Sequence, residues 1–256
     1  DAILPRVKSA KARLEKIPEI LKKFRQSVLA AACSGRLTED WREGKDIEDS
    51  QSLLKRIISE KPFNNKSKKQ TIETCFDENL YELPSSWIWT KFDIAFDKIF
   101  DGTHFSPKNT KFGDFMYITA KNIKENGIDL RDITYVSKED HEKIYQHADV
   151  RYNDILYIKD GATAGIATVN KIKEEFSILS SIAVFRVNQK YIVPEYVSFF
   201  LNSPVTKKRM LDMVSGVAIT RLTLTKLNNS YLALPPLEEQ HEIVRRVEKL
   251  FALADS

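Results

Sequence analysis

A chain of 256 residues, 42% hydrophobic and 30% charged, has enough apolar content for one large core or two small ones, which excludes a mainly disordered protein. No apolar run approaches the roughly 18 residues of a membrane span, and the N-terminus lacks the charged-then-apolar order of a secretory signal, so the sequence predicts a cytoplasmic protein. The net charge of +4 names no partner, and Cys33 and Cys75, with no histidine at metal-ligand spacing, read as reduced thiols.

The chain opens on a heptad pattern. Ile3, Val7, Ala10, Leu14, Ile17, Leu21, Phe24, Val28 and Ala31 alternate spacings of four and three, the a/d seam of a coiled coil, which needs a second helix to cover it. Thirty helical residues make a rod of about 45 Å, longer than one duplex turn of about 34 Å, so the pattern predicts a spacer. Residues 1–36 carry nine Lys or Arg against three acids, a local +6 that serves equally as a solvated face or as phosphate attraction. Pro18 predicts a break near Lys16–Ile17, and Gly35 a left-handed C-cap.

Residues 37–82 read as a polar linker with one amphipathic helix at Gln51–Lys61. From Leu83 the character changes to short β-rich runs between Gly and Asn turns, with strands expected at Trp87–Lys91, Phe115–Thr119, Asp154–Ile158, Gly165–Val169 and Ser177–Val187. Helices at Pro194–Leu201 and Pro204–Val214 and a strand at Tyr231–Leu234 follow. After Pro235-Pro236 a last helix places Glu238 and Glu239 in its first turn and repeats Ile243, Val244, Val247, Leu250, Phe251 and Ala254 on one face. The fold class is therefore α+β, a mixed domain flanked by terminal helices that must pack on each other or on a partner.

Catalytic patterns are not found. Gly161 and Gly165 lack the Lys-Ser or Lys-Thr of a phosphate loop, and His104, His141, His147 and His241 sit in no zinc-type spacing. Nor is there the Asn-Pro-Pro or Asp-Pro-Pro before an aromatic that holds a flipped base in an amino-methyltransferase. The chain reads as a binder with no metal or cofactor of its own.

Several stretches, in order, resemble one family. Pro235-Pro236-Leu237-Glu238-Glu239-Gln240, running into His241-Glu242-Ile243-Val244, resembles the end of a target-recognition domain in the specificity subunits of type I restriction-modification enzymes. Leu83-Pro84 with Trp87 resembles the entry to such a domain, Asp154 to Tyr157 with Lys159-Asp160-Gly161-Ala162 its central strand and turn, and Gly216 to Leu227 its late loop. Ala2 to Arg36 looks like the spacer between two recognition domains. The division is then spacer at 1–36, linker at 37–82, recognition domain at 83–235 and the start of a second spacer at 236–256, half of a two-domain subunit. The resemblance implies a non-catalytic reader of double-stranded DNA that recruits methyltransferase subunits, whose S-adenosylmethionine stays on that partner, and through them the restriction translocase. Exposed seams would let two copies pair around a palindromic bipartite site. A coiled-coil scaffold whose mixed domain binds protein, and a nuclease with an unrecognised metal site, are the rival readings.

Candidate DNA contacts lie on loops, where polar side chains reach base edges and Lys or Arg reach phosphates. They are Thr103, His104 and Lys108; then Thr119, Lys121 and Asn122, where Asn122 equally suits a turn cap. Lys159 and Thr163 flank an Asp160-Gly161 pair expected to form a tight hairpin. Ser180 and Ser181 interrupt an apolar strand and either bond within the sheet or face a ligand. Thr220, Arg221 and Lys226 complete the set.

Overall fold

The computed structural model describes residues 11, 14–61, 80–213 and 222–255. Helix α1 (Ile17–Cys33) starts after a turn at Glu15–Lys16, with Pro18 in its first turn, where a missing N–H costs nothing. It ends before Gly35, whose φ of 79° and whose close approach to Pro84, 2.4 Å from where a Cβ would stand, both require glycine. Ile3, Val7 and Ala10 of the seam lie outside the described residues. Of the rest, Leu14 (64%), Ile17 (43%) and Phe24 (38%) are exposed, Leu21 is half-buried, and Val28 is enclosed with Leu29, Ala32 and Cys33. Among its described residues the seam is thus covered only toward its C-terminal end. Burial pushes the Cys33 thiol up to about 12, against a smaller lowering by a hydrogen bond with Ser203, and Cys75 lies outside the described residues.

Helices α2 (Glu39–Arg42) and α3 (Ser50–Glu60) follow, the latter capped by Asp49, which accepts from the Ser52 N–H at 2.7 Å. This segment is more than a linker: Leu53, Leu54 and Ile57 are buried in the core.

The mixed domain then runs β1 (Ile88–Lys91), α4 (Phe92–Ala95), β2 (Lys98–Asp101), β3 (Phe115–Ile118), β4 (Ile123–Lys124), β5 (Gly127–Ile128), β6 (Thr134–Val136), α5 (Lys138–Tyr145), β7 (Ile155–Ile158), β8 (Ala167–Val169), β9 (Phe176–Ile178), β10 (Ile182–Arg186), α6 (Pro194–Asn202), α7 (Pro204–Asp212), α8 (Leu224–Asn228) and β11 (Tyr231–Leu234), ending in α9 (Leu237–Asp255). An antiparallel sheet in the order β2-β10-β7-β8 stands between helices on one side and the sheet β6-β3-β9 on the other. The period-2 alternation of its central strands sets this layering. Ile155, Tyr157, Ala183 and Phe185 enter the core shared with α1, α3, α6 and α9, while Leu156, Ile158, Ile182 and Val184 enter a second core with Ile118, Phe176 and Ile178. β3 and β9 pair in parallel and the remaining strand pairs are antiparallel.

The single strand expected at Ser177–Val187 is two strands in different sheets. Leu179 donates its N–H to Ile118 O at 3.3 Å, Ser180 to Thr103 O at 2.9 Å, and Ile182 back to Leu179 O at 2.9 Å, so the serine pair marks the crossover between layers.

The terminal elements pack on each other, running antiparallel. Arg25 pairs with Asp255, Arg246 bonds Leu37 O at 2.8 Å and Asp40 at 2.6 Å, and Glu239 reaches Thr38 and Arg42. Glu239 is fully enclosed, accepting from Thr38 Oγ1 at 2.6 Å and Trp87 Nε1 at 2.8 Å beside the Arg42 guanidinium. Gln240, equally enclosed, accepts from the Val193 N–H at 2.9 Å and donates to Pro235 O at 3.0 Å and Tyr191 O at 3.2 Å. With β1 paired to β11, the entry and exit of the domain are one clamp. Among the described residues no helix is long and apolar enough to cross a membrane.

Candidate nucleic-acid interface

Strand direction decides where the candidate loops go. β2, β3, β7 and β9 all end, and β10 begins, at one rim of the two sheets, because Asp101 pairs with Ala183, Ile158 with Ile182, and Ile118 runs parallel to Ile178. The rim therefore collects the start of the loop at 102–114, the turn at 119–122, the loop at 159–166 and the crossover at 179–181. Leu222 joins it by donating its N–H to Lys159 O at 3.2 Å. A cleft of about 350 Å³ opens there, lined among others by Phe100, Thr103, His104, Phe105, His147 and Leu224.

Asp101 is the fulcrum. Its carboxylate lies 3.2 Å from Lys159 Nζ and 3.4 Å from His104 Nε2. Gly102 follows so close to β9 that a Cβ would stand 2.2 Å from Ile178 O, which fixes the root of the loop. Thr103 bridges to Leu179, and its hydroxyl accepts from the Phe105 N–H at 3.2 Å, so this side chain, 8% exposed, shapes the turn. His104 and Lys108 are exposed beyond it.

Two expected contacts are corrected. Lys159 is 2% exposed, its ammonium spent on Asp101 and, at 3.8 Å, Asp160. A buried ammonium persists only with such a partner, and this one braces the rim from within. Asn122 is likewise 2% exposed: its Oδ1 accepts from the Thr119 N–H at 3.1 Å and the Thr119 hydroxyl at 3.2 Å, and its Nδ2 donates to Asp129 O at 3.0 Å. It caps the turn that presents the exposed Lys121, with Thr119 half-buried.

The connection at 159–166 is also not the tight hairpin expected. Positive φ falls on Gly161 (93°) and Gly165 (90°), not on Asp160, so no type I′ turn forms and Thr163 stands exposed on an eight-residue loop. Ser180 is 7% exposed, and the buried Ser181 Oγ has no hydrogen-bond partner. Lys226 is half-buried and donates to Met213 O at 2.6 Å, across the segment containing Thr220 and Arg221, which lie outside the described residues. The rim thus presents His104, Lys108, Lys121 and Thr163 outward over a frame of enclosed Lys159 and Asn122 with half-buried Asp101. Phe112, exposed on the loop at 102–114, is absent from the expected contacts because a lone aromatic between Lys111 and Gly113 is its only trace in the sequence. Among the described residues no three His, Cys, Asp or Glu side chains are placed to hold a metal ion.

Residues 96–255 match the family model described as the type I restriction modification DNA specificity domain. The chain is similar to the type I restriction enzyme EcoBI specificity subunit of Escherichia coli, 35% identical with all of this chain and 49% of that one covered. It is 30% identical to the EcoDI specificity subunit of Escherichia coli, again over the whole chain and 52% of the relative. Its fold is similar to the crystal structure of the type I restriction-modification S subunit from M. genitalium, with a TM-score of 0.54 at 15% identity over 99% of this chain and 54% of that one. The chain spans about half the length of the curated relatives it matches.

Proposed function

The chain belongs to the type I restriction-modification DNA specificity family, and from that premise we propose that it reads one half of a bipartite duplex DNA target without performing chemistry itself. The observation that carries the reading is the convergence of loops on one rim, where exposed His104, Lys108, Lys121 and Thr163 stand over a buried frame. Rigidly rooted polar side chains beside cations are what base-edge and phosphate contacts require. In this reading the terminal helices dock methyltransferase subunits, S-adenosylmethionine is held by those subunits, the restriction subunit joins through them, and the assembly works in the cytoplasm.

The exposed stripe of Leu14, Ile17, Ile20 and Phe24 supports self-association, since such a helix face is stabilised chiefly by burial. Two copies joined there present two identical readers about a twofold axis. The test is selection from randomised duplex DNA by the purified chain near physiological salt, with sequencing of the bound pool. The reading expects two short inverted half-sites at a fixed separation. A pool that stays unenriched even with methyltransferase subunits added contradicts it and favours the scaffold reading.

A further inference from the structure

Phe112 is 86% exposed, more than any other large apolar side chain among the described residues. Yet the backbone that carries it is fixed. Thr110 and Tyr135 exchange both N–H to carbonyl bonds, at 3.0 and 2.9 Å, and the Thr110 hydroxyl donates to Phe112 O. On the far side Gly113 passes so close to β6 that a Cβ would lie 2.7 Å from Tyr135 Cβ. A ring held in water by a braced loop keeps its apolar area, worth about 2 kcal/mol if buried, available for a partner.

The setting says which partner. Residues 102–113 contain Lys108 and Lys111 and no carboxylate, so the aromatic stands in a locally cationic loop that starts at the rim described above. Asp114, which follows, is exposed and is engaged by the Lys138 N–H, from which it accepts at 3.3 Å. Two cations followed directly by an aromatic on a fixed loop match a polyanion that has stacked, flat apolar faces between its charges.

We propose that Phe112 is a wedge that enters the base stack of duplex DNA, with Lys108 and Lys111 on the flanking phosphates. This rests on the DNA-reading proposal and adds a residue that deforms the duplex to those that read base edges. Its ring trades contact with water for contact with a base face, and the opened step registers the loop on the helix.

The experiment uses the 256-residue chain and the duplex enriched by selection, with 2-aminopurine placed at successive adenine positions. Wild type should brighten the probe at one step, and Phe112→Ala should abolish that brightening and weaken binding about ten-fold or more. Its salt dependence and thermal unfolding should match wild type, because the ring touches neither phosphate nor core. Lys111→Ala should instead weaken binding with a shallower salt dependence. A Phe112→Ala chain that binds and brightens like wild type overturns the wedge and leaves DNA reading intact. A weakened variant with no brightening in wild type overturns insertion in favour of an outside contact. Unchanged DNA binding with lost capture of methyltransferase subunits assigns the ring to a protein interface. Wild type that enriches no duplex, alone or with those subunits, overturns the reading and the wedge together.

Discussion

Lys159 shows how far a residue's role depends on a neighbour distant in sequence. A lysine directly after an apolar strand, before Asp-Gly, reads as a surface contact; the fold closes Asp101 over it and leaves 2% exposed. Asn122 follows the same logic, its capping geometry being legible and its enclosure not. If Lys159 braces the rim, Lys159→Met leaves the half-buried Asp101 without its ammonium partner and should lower unfolding stability by about 2 kcal/mol in urea melts. Adding Asp101→Leu should restore much of that loss, since the apolar pair removes both charges. A stable Lys159→Met chain that loses only DNA affinity would return the lysine to the contact surface.

Elements were legible where they were long or periodic, and missed where they were short or polar. α1, α6 and α9 carry apolar repeats or proline starts, and their positions follow from these. β6 is three residues long, and α5 buries only His141 and Ile144 from eight mostly charged residues, so neither leaves a periodic trace. α5 is seated by geometry the sequence does not display: His141 stacks on Phe115 with centroids 3.7 Å apart and shares a hydrogen bond of 3.0 Å with Ser177. The split of Ser177–Val187 into β9 and β10 was hidden because both strands are apolar and only the sheet partner differs.

A polar lock joins the strands beside that layer. Asp149 accepts from Lys98 at 2.7 Å and Arg186 at 3.1 Å; burial raises its carboxyl, but these bonds outweigh it and hold it at about 2, below the ordinary 3.8. Because the folded value is depressed, the stabilisation is present above pH ~4 and is lost as pH falls through about 2. Denaturant melts across this range should show Asp149→Asn less stable at neutral pH and flatter between pH ~4 and ~2. Parallel curves for variant and wild type would refute the lock.

At the scale of the molecule, the residues that carry the family resemblance are architectural. Glu239 and Gln240 of the Pro-Pro-Leu-Glu-Glu-Gln stretch bind Trp87, Arg42 and the α6 entry, so the motif closes the domain onto its helices. The candidate contacts, by contrast, lie on loops whose sequence carries no pattern, which is why the family was legible and the reading surface only partly so. A frame fixed by buried polar pairs lets the loops of the rim vary in sequence without unseating the fold. The terminal helices, packed on each other, expose Leu14, Ile17, Ile20 and Phe24, the face proposed above for self-association. The most direct test of the account is hydrogen exchange of the chain with and without its selected duplex. Slowed exchange is expected to concentrate at 103–112, 119–122 and 159–166, with the α1 and α9 amides unchanged. Protection confined to the terminal helices, with the rim exchanging as in the free chain, would contradict it.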